Sequence, residues 1–162
     1  MKNIILILFT SISLATNAQV AKVDLQASGL TCSMCSNAIN KALKKLDFVN
    51  KVEADIRTYT FTISFTDPGA VDFDKIRKKV EDAGFSVSGF IATIYIENVQ
   101  LAGTRSVNVG NQKMVFVNTT NETLNGTKQV RVLNKGFVSS KEFKNYGIVS
   151  TPGNDRVYHV SL

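Results

Sequence analysis

With 162 residues, 44% of them hydrophobic, the chain has room for one or two small domains with true apolar cores. Most of its formal net charge of +6 lies in the second half: residues 19–90 carry 10 basic against 9 acidic side chains, residues 91–162 carry 8 against 4. No basic-aromatic run accompanies that excess, which excludes a nucleic-acid-binding signature and leaves a solvated surface.

The chain opens with Lys2, then an almost wholly apolar run from Ile4 to Ile12, then the small residues Thr16-Asn17-Ala18 before Gln19. This pattern predicts a secretory signal peptide over residues 1–18, cut after Ala18. The apolar run is too short to span a bilayer, and no later segment is long enough to do so. No cysteine stands near the cleavage point to carry a lipid. The mature chain is therefore expected to be exported, periplasmic or secreted, into a compartment where disulfides persist.

Residues 21–90 read as six elements. Residues 22–28 alternate polar and apolar, as a half-buried strand does. A helix is expected over 34–46, with Cys35, Ile39, Ala42, Leu43 and Leu46 on one stripe and Asn40, Lys41, Lys44 and Lys45 opposite. Two strands follow, 49–57 with Val52, Ala54 and Ile56 on one face, and 59–65 with Tyr59, Phe61, Ile63 and Phe65 inward. Asp67-Pro68-Gly69 breaks the pattern. Asp72 is placed to cap a second helix whose stripe is Phe73, Ile76, Val80 and Ala83 and which Gly84 ends. A strand from Phe85 to Phe90 completes the order β-α-β-β-α-β, the ferredoxin-like arrangement with two helices on one face of an antiparallel sheet.

Both cysteines, Cys32 and Cys35, fall at the turn from the first strand to the first helix. The unpaired N–H groups and positive dipole end of a helix favour anionic sulfur, the form that binds metal. Two thiolates three residues apart, with no histidine or carboxylate beside them, suit Cu(I) or another soft d¹⁰ ion. A structural zinc site normally takes four ligands, and no second cysteine pair is present. The same two sulfurs can equally close as a disulfide, so the residues alone leave metal and disulfide both open.

The run Gly29-Leu30-Thr31-Cys32-Ser33-Met34-Cys35, followed by Ile39, Leu43 and Leu46 and closed by Glu81-Asp82-Ala83-Gly84-Phe85, resembles the heavy-metal-associated domain. That family includes copper chaperones, the amino-terminal domains of copper-transporting P-type ATPases, and the periplasmic mercuric-ion binding protein. The resemblance covers about residues 21–90. It implies that Cys32 and Cys35 are the metal ligands, that Cu(I) is the first candidate with Hg(II), Ag(I) and Zn(II) behind it, and that a metal-transporting P-type ATPase or efflux component is the partner. It also implies transfer through a three-coordinate intermediate in which the partner's thiolate joins the ion. Leu30 stands where the family usually has Met, Thr31 is as in its copper members, and Phe85 replaces a common Tyr near the loop.

Other residues carry weaker signals. Met34 reads as a gap-filler or partner contact, with a thioether assisting Cu(I) as the alternative, and Met114 as core. His159, the only histidine, lies on an alternating strand and reads as a surface or hydrogen-bonded residue before a ligand. Lys41, Lys44, Lys45, Arg77, Lys78 and Lys79 read as solvated helix faces, or a weak docking surface for an acidic partner.

Residues 91–162 read as a small β-rich domain, a barrel or sandwich. A strand is expected over 91–98, a hairpin of 107–109 and 113–117 around Gly110-Asn111, a polar loop over 119–126, and a strand over 128–133. Ser139-Ser140-Lys141-Glu142 is a capping box opening a short helix that stops near Tyr146-Gly147, and a turn at 151–155 precedes a closing strand from Arg156. Asn118, Asn121 and Asn125 each begin an N-x-[ST] triplet. There is no acid pair with a base and no phosphate loop, so the chain is not expected to be an enzyme. Beside the metal reading stand two others: a thiol-disulfide oxidoreductase, since CxxC at a helix start also suits redox exchange, and a structural module whose pair stays oxidised. Against the former, Ser33-Met34 between the cysteines is not a redox-enzyme signature, and the element order is not that of thioredoxin.

Overall fold

The computed structural model describes residues 18–30, 33–101, 105–119, 122–148 and 156–162. The expected signal peptide, apart from Ala18, and Cys32 lie outside them. So do the turn at 151–155 and Asn121.

The first six elements follow the expected order. Strand β1 (Gln19–Ser28) leads to helix α1 (Ser33–Leu43), strands β2 (Val49–Asp55) and β3 (Thr60–Phe65), helix α2 (Phe73–Asp82) and strand β4 (Ser86–Gln100). Their spatial order, β2-β3-β1-β4, with every pair antiparallel, is the ferredoxin-like sheet. Apolar spacing explains the helices: Ile39 and Leu43 of α1, and Phe73, Ile76 and Val80 of α2, are all fully buried. Asp72 caps α2 by accepting the Lys75 N–H at 3.0 Å. At its other end Gly84 takes φ +88, its N–H bonding Glu81 and that of Phe85 bonding Val80, a Schellman closure that folds Phe85 back over the last turn.

Two expectations of side-chain direction fail in β2 and β3. Of the apolar residues assigned to the inner face of β2, only Val52 is buried; Ala54 is exposed, and Ile56 is 53% exposed in the turn that follows. The cause is that β2 is the sheet's edge and ends at Asp55. Tyr59 also belongs to that turn, at φ +53, and is 38% exposed; its carbonyl accepts the Ala27 N–H at 3.1 Å.

After position 90 the chain stays in the same sheet. β4 runs for 15 residues, pairing with β1 along its first part and with β7 (Thr123–Val132) along its second, and Ile91–Tyr95 bond both neighbours. Beyond β7 come β8 (Val157–Ser161), β6 (Gln112–Phe116) and β5 (Ser106–Val109), giving the order β2-β3-β1-β4-β7-β8-β6-β5, with β6 and β8 parallel. Among the described residues these strands extend one open sheet in place of the expected barrel or sandwich, because β4 offers its second edge to β7. Residues 123–126, expected in a loop, begin β7. The capping box holds: Ser139 accepts the Glu142 N–H and opens α3 (Ser140–Tyr146), and Gly147 ends it at φ +58.

One apolar cluster fills the helix side of the sheet, from Leu25, Ile39 and Phe61 through Phe90 and Ile94 to Met114, Val130 and Val160. Its middle is a ring cluster. Phe73 lies 4.8 Å from Phe90 and 5.0 Å from Tyr158, and Phe137 meets Phe90 and Tyr158 edge-on at 5.1 and 5.7 Å. Such pairs contribute about 0.5–1.5 kcal/mol each beyond their area. The Tyr158 hydroxyl donates to Asp74 Oδ2 at 2.7 Å, and burial with that bond raises its pKa well above the ordinary phenol value. Arg77, bonded to Asp74 and Glu81, lies 5.6 Å over the Phe137 ring. Gly136 makes this fit, since a Cβ there would stand 3.0 Å from Arg77 Cδ. Among the described residues no helix is long and apolar enough to cross a membrane.

Candidate metal centre

The site is built where β1 ends. Gly29 turns the chain out of the strand at φ +87, in the left-handed region that glycine enters without steric cost. Leu30 then drops into the core at 7% exposure, which anchors the start of the loop from beneath. Phe85, delivered by the closure of α2, comes up from the other side: a Cβ on Gly29 would lie 3.9 Å from its Cδ1. The loop thus leaves β1 between a buried leucine and a half-buried ring.

Cys35 lies in the first turn of α1, half-buried and packed against the core cluster, as its place on the Ile39–Leu43 stripe predicts. No acidic side chain occupies that first turn, so the helix's positive end is left to favour anionic sulfur. Cys32 lies outside the described residues. Met34 is 81% exposed beside Cys35 and belongs to the surface around the loop, not to the core.

His159 is not brought to this loop. It lies on β8, three strand spacings from β1, or about 14 Å at roughly 4.8 Å per strand. Its backbone N–H donates to Asn134 Oδ1 at 2.6 Å, and burial lowers the imidazole pKa below its ordinary value. Its Nδ1 is buried without a partner among the described residues. Among those residues no three His, Cys, Asp or Glu side chains gather as a ligand set.

Sequence reading missed the link between the loop's supporting helix and the strands after β4. Asp74 and Tyr158 are 84 residues apart, and no local pattern joins them. It also assigned Arg77 to a solvated face, whereas Arg77 is engaged by two carboxylates and a ring.

Comparison with known proteins finds matches over the part of the chain that holds this loop. The profile of the heavy-metal-associated domain matches residues 24–86, from the middle of β1 to the start of β4. The mercuric transport protein periplasmic component of Pseudomonas fluorescens is 35% identical over 71 residues, which are 44% of this chain and 77% of that protein. A probable copper-transporting ATPase of Arabidopsis thaliana is 35% identical over 69 residues, 43% of this chain but 7% of the ATPase. A yeast copper transporter domain solved in apo and Cu(I)-loaded states is 34% identical, covering 40% of this chain and 88% of the domain, with a TM-score of 0.37. The strands β5 to β8 lie outside the matched region. By the extent of its match to the periplasmic mercuric protein, the chain belongs to the heavy-metal-associated domain family.

Proposed function

We infer that this protein is an exported carrier of a soft metal ion, Cu(I) foremost, which it holds between Cys32 and Cys35 and passes to a partner. The observation that carries the reading is the place of the CxxC motif within a heavy-metal-associated domain, with Cys35 in the first turn of α1 and half-buried over the core. A two-coordinate thiolate pair binds a soft ion tightly yet leaves it open to a third sulfur, so transfer proceeds without full dissociation. The ion is cargo, and the chain is a carrier, not an enzyme.

Two named relatives support the choice of metal and compartment: a mercuric transport protein that is a periplasmic component, and a probable copper-transporting ATPase. Hg(II) and Ag(I) share the preference for sulfur, and Zn(II) follows. The signal-like residues 1–18 support export. The partner that fits is a metal-transporting P-type ATPase or efflux component presenting its own thiolate.

Anaerobic titration of the reduced protein with Cu(I) against a chromophoric chelator tests the reading. One ion per chain is expected, with competition lost in Cys32→Ser and Cys35→Ser variants that keep the wild-type circular dichroism. Undiminished binding in both variants, or none in the reduced wild type, contradicts it. Insulin reduction by the wild-type pair would support redox exchange in its place.

A further inference from the structure

A groove lies at the end of the fold away from the cysteine loop. Three cavities, of about 460, 190 and 320 Å³, all have Arg156 in their walls. The first runs along the start of α2 against Lys75 and Lys78, and the third reaches the turn of the β5–β6 hairpin and Lys113. Arg156 is held between them, its carbonyl accepting the Lys113 N–H at 2.8 Å. Five cations therefore line these adjoining cavities; Arg77 is paired with Asp74 and Glu81, whereas Lys75 and Lys78 of α2, Lys113 and Arg156 form no ion pair among the described residues.

The carboxylates in the same wall are already engaged. Asp72 is bound to the Lys75 N–H as the cap of α2, and Asp74 holds Arg77 and the Tyr158 hydroxyl. The excess positive charge is thus directed at whatever enters.

Gln112 adds a second, independent requirement. It lines two of the cavities and is 3% exposed; its Nε2 donates to the Val71 carbonyl at 2.7 Å, but its Oε1 is buried without a partner. A buried amide oxygen needs a donor, and a simple anion brings none. An extended peptide rich in Asp and Glu brings both groups, carboxylates for the cations and backbone N–H groups for Gln112. Its length also suits three adjoining cavities better than a compact ion does.

We propose that this groove docks an extended acidic segment of a partner protein. In the unprocessed chain the Ala18 carbonyl, just ahead of β1, accepts the Gly110 N–H at this end, and β1 runs from Gln19 to Ser28, before the metal loop. α2 likewise starts at the groove and ends next to Phe85. A segment held at this end leaves Cys35 and the loop uncovered. The proposal rests on residues apart from the metal ligands and goes beyond metal binding.

Fluorescence anisotropy of a fluorescein-labelled hexaglutamate peptide with the purified chain tests it. Lys75→Glu combined with Arg156→Glu should weaken binding by about tenfold or more. Lys44→Glu combined with Lys45→Glu, the same charge change beyond the end of α1, should weaken it by less than about threefold. The Gln112 side-chain amide resonance should shift on peptide addition. Equal weakening by the two double variants, an unmoved Gln112 amide, no peptide binding, or inorganic triphosphate binding as tightly through the same residues would overturn the proposal. A Cys32→Ser variant should bind the peptide as wild type does, which separates this test from that of the metal site.

Discussion

Replacing Tyr158 with phenylalanine removes one oxygen and leaves the ring in the core. That oxygen donates to Asp74 Oδ2 at 2.7 Å and ties β8 to the first turn of α2. A hydrogen bond to a charged acceptor contributes about 1.5–3 kcal/mol. The Asp74 side chain is 39% exposed and keeps Arg77 on its other oxygen, so water recovers part of the loss. The expected cost of Tyr158→Phe is therefore about 1–2 kcal/mol, a fall in Tm of about 2–8 °C for a chain of this size. Tyr158→Ala, which also deletes the ring against Phe73 and Phe137, should cost about 3–5 kcal/mol.

Urea denaturation followed by circular dichroism, with hydrogen exchange read at β1 and β3 and separately at β6 and β8, is the assay. β4 bonds β1 and β7 at once, and one core underlies both. Protection in the two groups of strands should fall together and by the same amount. A loss confined to β6 and β8, or two separate transitions, would refute the argument that residues before and after position 90 fold as one unit.

Two further outcomes follow from the structure and the sequence. Burial holds His159 below its ordinary pKa of 6.5, so the unfolded chain takes up its proton first; stability should fall as pH drops through about 6.5 toward the lowered folded value. His159→Gln should flatten that part of the curve in urea titrations between about pH 7.5 and pH 5, and an unchanged slope would contradict the assignment. Export with removal of residues 1–18 should leave Gln19 as the first residue in intact-mass spectra of protein recovered from outside the cytoplasm, and a mature chain that still begins at Met1 would contradict it.

What the sequence made legible was local. The stripe Phe73, Ile76 and Val80 between Asp72 and Gly84 contains every instruction for α2, because capping and helical period act within a few residues. The alternation of Phe61, Ile63 and Phe65 likewise fixed the inner face of β3. Alternation does not say where a turn falls, so Tyr59 and Ile56 were assigned inward although the turn takes them out.

Position 90 was misleading for a related reason. A strand that continues past one partner to pair with another carries no local mark of the change, and Gly89 lies opposite Gln26 within the β1–β4 ladder. The pairing of β4 with β7, and the parallel pairing of β6 with β8, depend on contacts between distant residues that no short window contains. The CxxC motif is legible because it occupies four consecutive residues. The groove is not, since Lys75, Gln112 and Arg156 are far apart in the chain and line one cavity only in the folded structure.

In the proposed carrier, sulfur alone holds the ion. Copper K-edge X-ray absorption of the Cu(I)-loaded protein measures that directly. A first shell of two sulfurs is expected, lost when Cys32 and Cys35 are replaced by serine. A shell of nitrogen or oxygen that survives those replacements would contradict it.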